Sequence, residues 1–588
     1  MSTDLGSIQR TPFWLPTRGG PLAAWLHQPS SQATGALAVI CPPIGFELVH
    51  THRTLRRLAD ELAAEGVAAL RFDYHGTGNS PGNGEEAGLG ARWQNDIRSI
   101  VDFGRSELGA RHVTLIGLRL GGLLAATSAS SAGADALVLW SPVAKGRRYM
   151  REWDALSRVG GAPDDAVIEA GGFVLSRASA EELATLSLDA ADWSPELDVL
   201  WVTRDDLPES GPSDGLKASV ATMEVMATEG FSDMLAEPHF TKIPGSTVGS
   251  IVEWVAAQGS REEPTHQRTC GVSAKMGDGL RIDAPGGFRE EFVTVPGPVP
   301  LSGVWTSPEE PHEGRPPTVI LSNSGSVHNI GPNRVYVELS RSLARAGIAS
   351  LRLDLRNLGE SLAAPAPDEN HPYPQSAVDD LLAAARWARD TMKAPHVVVG
   401  GLCSGAFTAY RAALVDERDT ISGCLLINPL TFEWRDGMSL ETPPPGQVNA
   451  RDAQHYRSAF RNVERWKKAL RGDVDFSYFL GFVLRRAKLK TQQLWVDTLE
   501  ATGLKEPSTL ARELRQIVES RRRITFLFSS TDPGLELLQS GARRTVRVLQ
   551  RKGDLQICMV PGADHTFSRR AWRQDAISRV RSALAHYA

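Results

Sequence analysis

The chain repeats itself once, and this repeat constrains its fold more than any other feature of the sequence. Four blocks of the first half recur in the second half in the same order, with matching residues about 280 positions apart. The matched blocks are residues 67–73 with 348–354, 75–80 with 356–361, 113–121 with 397–405, and 136–142 with 424–429. Chance would not hold one register over four blocks, so the sequence predicts a duplicated domain.

Each copy alternates short apolar segments with amphipathic ones, a pattern typical of α/β domains that have a mostly parallel sheet with helices on both faces. The 588 residues also exceed what a single hydrophobic core holds. The polar stretch over 259–275 contains breakers and no periodicity, which indicates a linker. We therefore predict a first copy over 1–258 and a second copy over 276–588.

The second copy contains Gly-Leu-Cys-Ser-Gly at 401–405, between a short apolar strand and the start of a helix. This is the strand–turn–helix setting of a nucleophile elbow, with Cys403 in the usual place of serine. Gly401 and Gly405 suit such a turn because side chains there would clash with neighbouring backbone. The positive end of the following helix favours a thiolate. The alternative interpretation is a buried cysteine in a glycine-rich turn.

Two segments downstream supply partners in the order nucleophile, acid, base. Asp532 and His565 each follow an apolar strand, where open α/β sheets place their sites. In this respect the second half resembles the α/β-hydrolase superfamily, particularly its peptidase-like and thioesterase-like branches, along almost its whole length. The resemblance implies that Cys403 is the nucleophile, His565 the base and Asp532 the acid. Asp564 and Glu536 remain rival acids, although Asp564 is disfavoured because it adjoins the histidine.

The same resemblance implies an oxyanion hole with two backbone donors. One donor is the N–H of Ser404, directly after the nucleophile. The other is expected in the loop that follows an earlier strand, at Gly325 or Ser326. His328 lies in this loop and is a candidate for contact with substrate, with a surface histidine as the simpler interpretation.

The first copy is predicted to be a degenerate hydrolase-like domain. Arg119 stands where the nucleophile belongs, and a guanidinium cannot attack a carbonyl. Alignment of 243–249 with 560–566 sets Val248 opposite His565, so the base is missing from its place as well. His239 is an alternative, shifted base, but it would have no nucleophile to serve. At a helix N-terminus, Arg119 could hold an anion such as a carboxylate or phosphate. The alternative is an arginine paired with an acid in a disused cleft.

A segment over about 431–519 departs from the alternation of strands and helices, and we predict a helical cap there. Its aromatic residues suit an apolar acyl pocket, although aromatics at helical spacing also serve ordinary cores. Residues 451–490 hold eleven Lys and Arg against four Asp and Glu. Over an active site, this charge would suit an acidic acyl carrier protein or the phosphates of coenzyme A. A solvated face is the alternative.

Cysteine is a better nucleophile for moving acyl groups than for cutting esters with water, because an acyl-cysteine is itself a reactive thioester. In this place it resembles the nucleophile of dienelactone hydrolases and of certain thioesterases. We therefore expect an acyl-transfer enzyme acting on carrier-bound or coenzyme-A-bound acyl thioesters in a biosynthetic pathway. The alternatives are a thioesterase or esterase, and a non-catalytic scaffold. The sequence shows neither a metal cluster nor a dinucleotide fingerprint, so we expect no cofactor or metal.

Composition limits the partners and the compartment. A formal net charge of −5 argues against nucleic acid as the main partner. No apolar run approaches the roughly 20 residues that a bilayer requires, and the N-terminus lacks the pattern of a signal peptide. The five cysteines are odd in number and scattered. They suit a reducing cytoplasm better than a disulfide framework.

Overall fold

The computed structural model describes residues 8–29, 34–159, 164–206, 211–227, 229–259, 280–284, 286–310, 314–362, 369–435, 438 and 506–587. Most of the predicted cap at 431–519 and of the predicted linker at 259–275 lies outside these residues, as does the basic run at 451–490. Within the described ranges, no helix is both long and apolar enough to cross a bilayer.

The chain divides into two compact units. Unit 1 comprises Met1–His312, Gly325–Pro372 and Ser568–Arg570. Unit 2 comprises Glu313–Ser324, Tyr373–Phe567 and Ala571–Ala588. Unit 1 therefore contains the first copy and the early part of the second copy, whereas unit 2 contains the predicted triad.

The first copy is an α/β domain built on one large sheet. Its strands are β1 Gln9–Leu15, β2 Leu22–Gln28, β3 Ala36–Cys41, β4 Ala68–Phe72, β5 His112–Leu118, β6 Ala136–Trp140, β7 Val167–Ala170, β8 Phe173–Ser176, β9 Asp198–Thr203 and β10 Thr222–Ala227. Its helices are α1 Phe46–Ala64, α2 Leu89–Ser106, α3 Leu120–Ala132, α4 Gly146–Val159, α5 Arg177–Thr185, α6 Asp214–Lys217, α7 Phe231–Met234 and α8 Gly245–Gly259. The large sheet has the order β1-β2-β4-β3-β5-β6-β9-β10, and β7 pairs with β8 separately.

This sheet is parallel from β4 to β10, and β1 and β2 are antiparallel additions at one edge. Both faces are buried, as the continuous apolar runs predict. On β3, Leu37, Val39 and Cys41 pack into one core, while Ala38 and Ile40 pack into the other. Alternation along the strand therefore serves two cores, one on each side of the sheet.

The second copy divides its strands between the two units. Unit 1 holds β11 Arg281–Ala284, β12 Phe288–Val295, β13 Leu301–Pro308 and β15 Ser350–Leu353, with helix α9 Val335–Arg345. Unit 2 holds β14 Pro317–Leu321, β16 His396–Leu402, β17 Gly423–Ile427, β18 Arg523–Ser529 and β19 Leu555–Val560. The remaining helices are α10 Ala377–Asp390, α11 Ser404–Val415, α12 Thr509–Glu519, α13 Gly534–Lys552 and α14 Arg570–Leu584.

The five strands of unit 2 pair in parallel in the order β14-β16-β17-β18-β19. Their carboxyl ends therefore meet at one edge, where β16, β18 and β19 lead to the three predicted catalytic residues. The predicted fold class, two hydrolase-type α/β domains with mostly parallel sheets, is confirmed.

The likeness of the two copies extends to individual hydrogen bonds. In the turn after β4, the hydroxyl of Ser80 donates to the carbonyl of Asp73 over 2.6 Å. In the turn after β15, the hydroxyl of Ser361 donates to the carbonyl of Asp354 over 2.7 Å. The repeated blocks of sequence thus encode the same closed turn twice.

Within unit 1, these two turns exchange contacts between the copies. Arg71 on β4 donates to the carboxylate of Glu360 over 2.8 Å. Arg352, in the matching place on β15, donates to Oδ1 of Asn79 over 3.2 Å. Asn79 and Glu360 also occupy matching places in their turns, so the two contacts are related as in a two-fold dimer.

Arg334, just before α9, is another cation held at this junction. It is 6% exposed and donates to the backbone carbonyls of Gly78 (2.7 Å), Ser80 (2.5 Å) and Gly82 (2.9 Å). Burial, together with the nearby charge of Arg341, lowers the pKa of Arg334 to about 9. Three carbonyl acceptors offset the desolvation of the guanidinium.

Candidate active site

Cys403 lies at the elbow between β16 and α11, in a strained backbone conformation with φ 60° and ψ −114°. Positive φ is unfavourable for a residue with a side chain, and such strain gathers at functional sites. A Cβ added to Gly405 would lie 2.7 Å from the carbonyl oxygen of Asn323 and 2.8 Å from that of Ser322. Glycine at 405 is therefore required by the close approach of the loop that follows β14.

Asp532 and His565 are in direct contact at the ends of β18 and β19. The Nδ1–H of His565 donates to Oδ2 of Asp532, whose other oxygen accepts the N–H of Gly534 over 2.8 Å. Asp532 is 7% exposed. Its carboxylate, and not that of Asp564 or Glu536, is thus the acceptor for Nδ1, and it fixes which ring nitrogen faces the nucleophile.

Cys403 acts on the charge state of His565. Burial lowers the pKa of the imidazole, but the hydrogen bond to Asp532 and the nearness of Cys403 outweigh this and raise it to about 10. Nε2 of the ring is buried and makes no hydrogen bond of standard geometry to any described residue. Catalytic hydrogen bonds are often long before substrate binds. The raised pKa favours the protonated ring, so once the imidazole has accepted a proton it can hold that proton and pass it to a leaving group.

Tyr373 is a neighbour of the nucleophile that the sequence did not indicate. Its hydroxyl lies 4.0 Å from Sγ of Cys403, and its ring stacks on Trp434 with centroids 4.1 Å apart. Phe407 packs edge-on against the same ring at 5.6 Å. Burial and the nearby Cys403 raise the pKa of Tyr373 well above its usual value, so the hydroxyl keeps its proton. An aromatic wall with one polar donor thus borders the sulfur.

The predicted oxyanion donors lie in different units. Ser404 begins α11 in unit 2 and is 2% exposed. Gly325 and Ser326 belong to unit 1, where Gly325 has φ 58° and the hydroxyl of Ser326 donates to the carbonyl of Asn370 over 2.8 Å. The two-donor oxyanion hole stays a prediction.

His328 is buried, so the simpler interpretation of a surface histidine is wrong. It is 4% exposed, and its ring stacks on that of His52 with centroids 3.9 Å apart and planes 9° from parallel. Burial lowers the pKa of His328 well below its ordinary value, which keeps the ring neutral. It lines a polar cavity of unit 1 together with Arg53 and Arg56. Contact of His328 with substrate stays a prediction.

The first copy keeps the elbow and loses the nucleophile. Arg119 has φ 55° and ψ −120°, close to the values at Cys403. Its Nε donates to Glu47 over 2.9 Å, and the hydroxyl of Tyr149 donates to the other oxygen of the same carboxylate over 2.7 Å. Arg119 is therefore paired with an acid, as in the second of the two interpretations given for it, and its guanidinium already has an anion. A bound anion would have to displace Glu47.

One block of the predicted alignment between the copies is wrong. Val248, set opposite His565, lies inside α8 and is fully buried instead of following the last strand. The residues that do follow β10 lead into the short helix α7, and 229–235 contain no histidine. The Pro-Gly pair misled the alignment because it precedes a helix in one copy and follows a strand in the other. His239 also lies between β10 and α8, but with Arg119 at the elbow it has no nucleophile to serve.

In the part of the chain that the structure describes, no group of three or more His, Cys, Asp or Glu side chains is arranged to hold a metal ion. The four described cysteines are all free thiols.

Family models match both halves of the chain. A model described as "Serine aminopeptidase, S33" matches residues 48–163, and one described as "Alpha/beta hydrolase family" matches residues 321–576. The second match contains all three residues of the predicted triad. The first contains the elbow at Arg119.

Curated relatives cover smaller parts of the chain. It is 36% identical over 123 residues to human mitochondrial palmitoyl-protein thioesterase ABHD10, which corresponds to 20% of this chain and 39% of the relative. It is 31% identical over 127 residues to an uncharacterized protein of Mycobacterium tuberculosis, with 21% and 42% covered. The chain thus spans about two fifths of the length of these relatives.

Solved structures with a similar fold include Est1E of Butyrivibrio proteoclasticus with bound ferulic acid, at 20% identity and a TM-score of 0.34 over 42% of this chain and 96% of that one. A dienelactone hydrolase from Anabaena variabilis is 13% identical, with a TM-score of 0.31 over 51% and 98%. Hydrolase family models thus match in each half of the chain, on sheets that end in matching elbows, and the chain has the α/β-hydrolase fold.

Proposed function

We propose that the second copy is an acyl-transfer enzyme that works through a covalent acyl-Cys403 intermediate. The observation that carries the proposal is the contact of His565 with Asp532, combined with the effect of Cys403 on the same imidazole. An acid, a base and a thiol on a strained elbow, each following a different parallel strand, form the set of groups that nucleophilic acyl transfer requires.

In the first half of the reaction, the proton of the Cys403 thiol moves to His565 and the sulfur attacks the carbonyl carbon of an acyl thioester. The carbonyl oxygen becomes an oxyanion, which the N–H of Ser404 would bind. The bond from this carbon to the donor sulfur then breaks. The leaving thiolate takes the proton from His565, and the acyl group stays on Cys403.

In the second half, an acceptor hydroxyl or amine gives its proton to His565 and attacks the acyl carbon. The bond to Cys403 breaks, and the sulfur recovers the proton or remains paired with the imidazolium. Asp532 accepts from Nδ1 throughout, so that Nε2 faces the sulfur in both halves. The aromatic wall of Tyr373, Trp434 and Phe407 would hold the apolar part of the acyl group.

Thioesters are the proposed donors because exchange between two thioesters is close to neutral in free energy. One matched relative is named a palmitoyl-protein thioesterase, which supports this substrate class. The net positive charge of 451–490 supports an acidic acyl carrier protein, or coenzyme A, as the carrier. Cytoplasm is the proposed compartment, since such carriers and free thiols are both found there.

Hydrolysis is the second candidate function, and the name of the same relative favours it. The chemistry differs only in the acceptor, which is then water. The first copy is proposed to take no part in either reaction, because Arg119 and Glu47 occupy its elbow.

The test mixes the purified full-length chain with acyl-coenzyme A thioesters of graded length and with amine or alcohol acceptors. Release of free thiol and the masses of the acyl products are recorded. We expect the acylated acceptor to exceed the free acid, and Cys403→Ala to release no thiol above background. If free acid is the sole product, the enzyme is a hydrolase and not a transferase. If the wild-type protein releases no thiol, both candidate functions are contradicted.

Tyr373→Phe refines the role of the aromatic wall. We expect kcat to fall about 3- to 10-fold, since one hydrogen bond near the developing charge is lost while the ring stays in place. Tyr373→Ala should raise KM for long acyl chains as well, because the wall itself is removed. Equal kinetics for Tyr373→Phe and wild type would leave the hydroxyl without a role.

A further inference from the structure

Asn428 lies directly after β17, at the place where the loops carrying the three catalytic groups meet. It is fully buried, with φ 44°. Its Oδ1 accepts the N–H of Ser529, at the end of β18, over 2.7 Å. Its Nδ2 donates to the carbonyl of His565 over 2.7 Å. One amide side chain therefore bonds the strand end that precedes Asp532 and the residue that carries the imidazole.

The residue before Asn428 connects the same point to the nucleophile. The N–H of Cys403 donates to the carbonyl of Ile427 over 3.0 Å. The backbone N–H of Asn428 in turn donates to Leu527 on β18 over 2.9 Å. Ile427 and Asn428 thus bond to the nucleophile, to the end of the strand that precedes the acid, and to the residue that carries the base.

The first copy provides an internal comparison. Ser141 occupies the matching place after β6, with φ 45°, and is also fully buried. The backbone bond to the elbow is kept, since the N–H of Arg119 donates to the carbonyl of Trp140 over 3.1 Å. The hydroxyl of Ser141, however, has no hydrogen-bond partner among the residues that the structure describes. The copy without a triad therefore keeps the backbone of this junction and lacks its side-chain bonds.

We propose that Asn428 is a positioning residue that fixes the distance between the acid loop and the base loop, so that the imidazole of His565 reaches both Asp532 and Cys403. The inference rests on the proposed function of the second copy. The loops follow separate strands, and in-line proton transfer tolerates little displacement of the base. A side chain that both donates and accepts can hold two such loops, whereas serine is too short to span them.

A second bond between the loops limits the size of the effect. The hydroxyl of Thr531 donates to the carbonyl of Ala563 over 2.6 Å, so the loops would stay near each other without Asn428. Loss of Asn428 is therefore expected to shift the imidazole rather than release it. That distinguishes a positioning role from a role in folding.

The test uses Asn428→Ser and Asn428→Asp in the full-length chain. Serine occupies the matching place in the first copy at the same positive φ, so the backbone can accept it. Aspartate has the same shape and keeps the acceptor for Ser529, but it loses the donor to His565. Ser141→Ala and Ser141→Asn are the matched controls, and thermal unfolding monitors the fold of every variant.

Two readouts are compared, and only one depends on the substrate. The first is the rate of alkylation of Cys403 by iodoacetamide from pH 5 to 10, with the background measured in Cys403→Ala. The titratable groups that the structure places at this thiol are His565, Asp532 behind it, and Tyr373. The second readout is kcat and KM for thiol release from acyl-coenzyme A.

We expect both Asn428 variants to move the alkylation profile toward that of His565→Gln, and to lower kcat about 10- to 100-fold with KM nearly unchanged. The Ser141 variants should match wild type in both readouts. Folded Asn428→Ser and Asn428→Asp proteins with a wild-type alkylation profile would overturn the inference. If wild type turns over no thioester, the proposed function fails, while the alkylation profiles still decide the role of Asn428.

Discussion

The two elbows of this chain have nearly the same backbone and present different side chains. Cys403 has φ 60° and ψ −114°, and Arg119 has φ 55° and ψ −120°. Two residues after each lies a glycine whose added Cβ would touch a backbone carbonyl oxygen, at 2.7 Å for Gly405 and 2.2 Å for Gly121. Strain and glycines at this turn are therefore properties of the fold, and they do not by themselves indicate activity.

The difference between the copies lies in what surrounds the elbow. In the first copy, the carboxylate of Glu47 accepts hydrogen bonds from both Arg119 and Tyr149, so the charge of Arg119 is paired with that of Glu47. In the second copy, Asp532 and His565 are hydrogen-bonded to each other, and the half-buried thiol of Cys403 lies at the elbow beside them. Activity is thus expected where the cation at the site is a titratable imidazole instead of a permanent guanidinium.

The largest expected effect comes from exchanging the two elbow residues for alanine. Cys403→Ala should lower kcat at least 10⁴-fold, because the covalent route is lost. Arg119→Ala should change kcat less than about twofold, although it leaves the Glu47 carboxylate without its cation and lowers the melting temperature. Thiol release and thermal unfolding check both. A comparable loss of activity in Arg119→Ala would give the first copy a catalytic role.

The next effect concerns the acids. Asp532→Asn should lower kcat on the order of 10³- to 10⁴-fold, since an amide no longer selects the tautomer of His565 that faces the sulfur. Asp206→Asn, after the matching strand β9 of the first copy, should leave kcat unchanged. Glu536→Gln tests the rival acid and should also be close to wild type. A large loss in Glu536→Gln with a small one in Asp532→Asn would reverse the assignment of the acid.

The exchanged contacts between the copies predict a pH-dependent difference in stability. Burial would raise the pKa of Glu360, but the charge of Arg71 and the hydrogen bond from His52 hold it well below its ordinary value. Its contribution is therefore present above pH about 4.5 and is lost as pH falls through the folded-state pKa. Glu360→Gln should cost about 3 kcal/mol at pH 7, because it leaves Arg71 buried without its anion.

The matched control is Asn79→Ala, which removes the neutral counterpart of the same contact and should cost about 1 kcal/mol at every pH. Urea denaturation of both variants and wild type at pH 7, 5 and 4 measures the difference. The loss of unfolding free energy in Glu360→Gln, relative to wild type, should shrink as pH falls below about 4.5. A loss of unfolding free energy that grows toward acid pH would contradict the proposed ion pair.

The smallest expected difference is between the two elbow glycines. Gly121→Ala and Gly405→Ala should each destabilise the protein by about 2 kcal/mol, since the added carbon meets backbone oxygen in both copies. Only Gly405→Ala should also reduce thiol release per folded molecule. Chemical denaturation measures the first effect and active-site titration of Cys403 the second. A neutral Gly121→Ala would mean that the disused elbow had relaxed.

Sequence patterns predicted the parts of the site that single strands and turns encode. Each residue of the predicted triad follows an apolar strand, in the chain order nucleophile, acid, base: Cys403, Asp532, His565. The structure shows a hydrogen bond between Asp532 and His565. Tyr373 and Asn428 were not found, because each reaches the site through folding of distant segments and neither stands in a distinctive pattern. Periodicity indicates which face of an element is buried, and it does not indicate which elements meet.

The same limit applies to the junction between the copies. The repeated blocks placed Arg71 opposite Arg352 and Asn79 opposite Glu360 in alignment. They did not indicate that each arginine would bond the turn of the other copy. Val248 shows the converse error, in which a shared Pro-Gly pair suggested equivalence where one copy has a helix and the other a loop.

The most direct test of a single catalytic copy is acid quenching of the full-length protein within milliseconds of mixing with an acyl thioester, followed by intact-mass measurement and peptide mapping. We predict one added acyl group per chain, located on Cys403, absent from Cys403→Ala and accumulating in Asp532→Asn more slowly than in wild type. An acyl group on any residue of the first copy, or continued turnover by Cys403→Ala with no adduct, would contradict it.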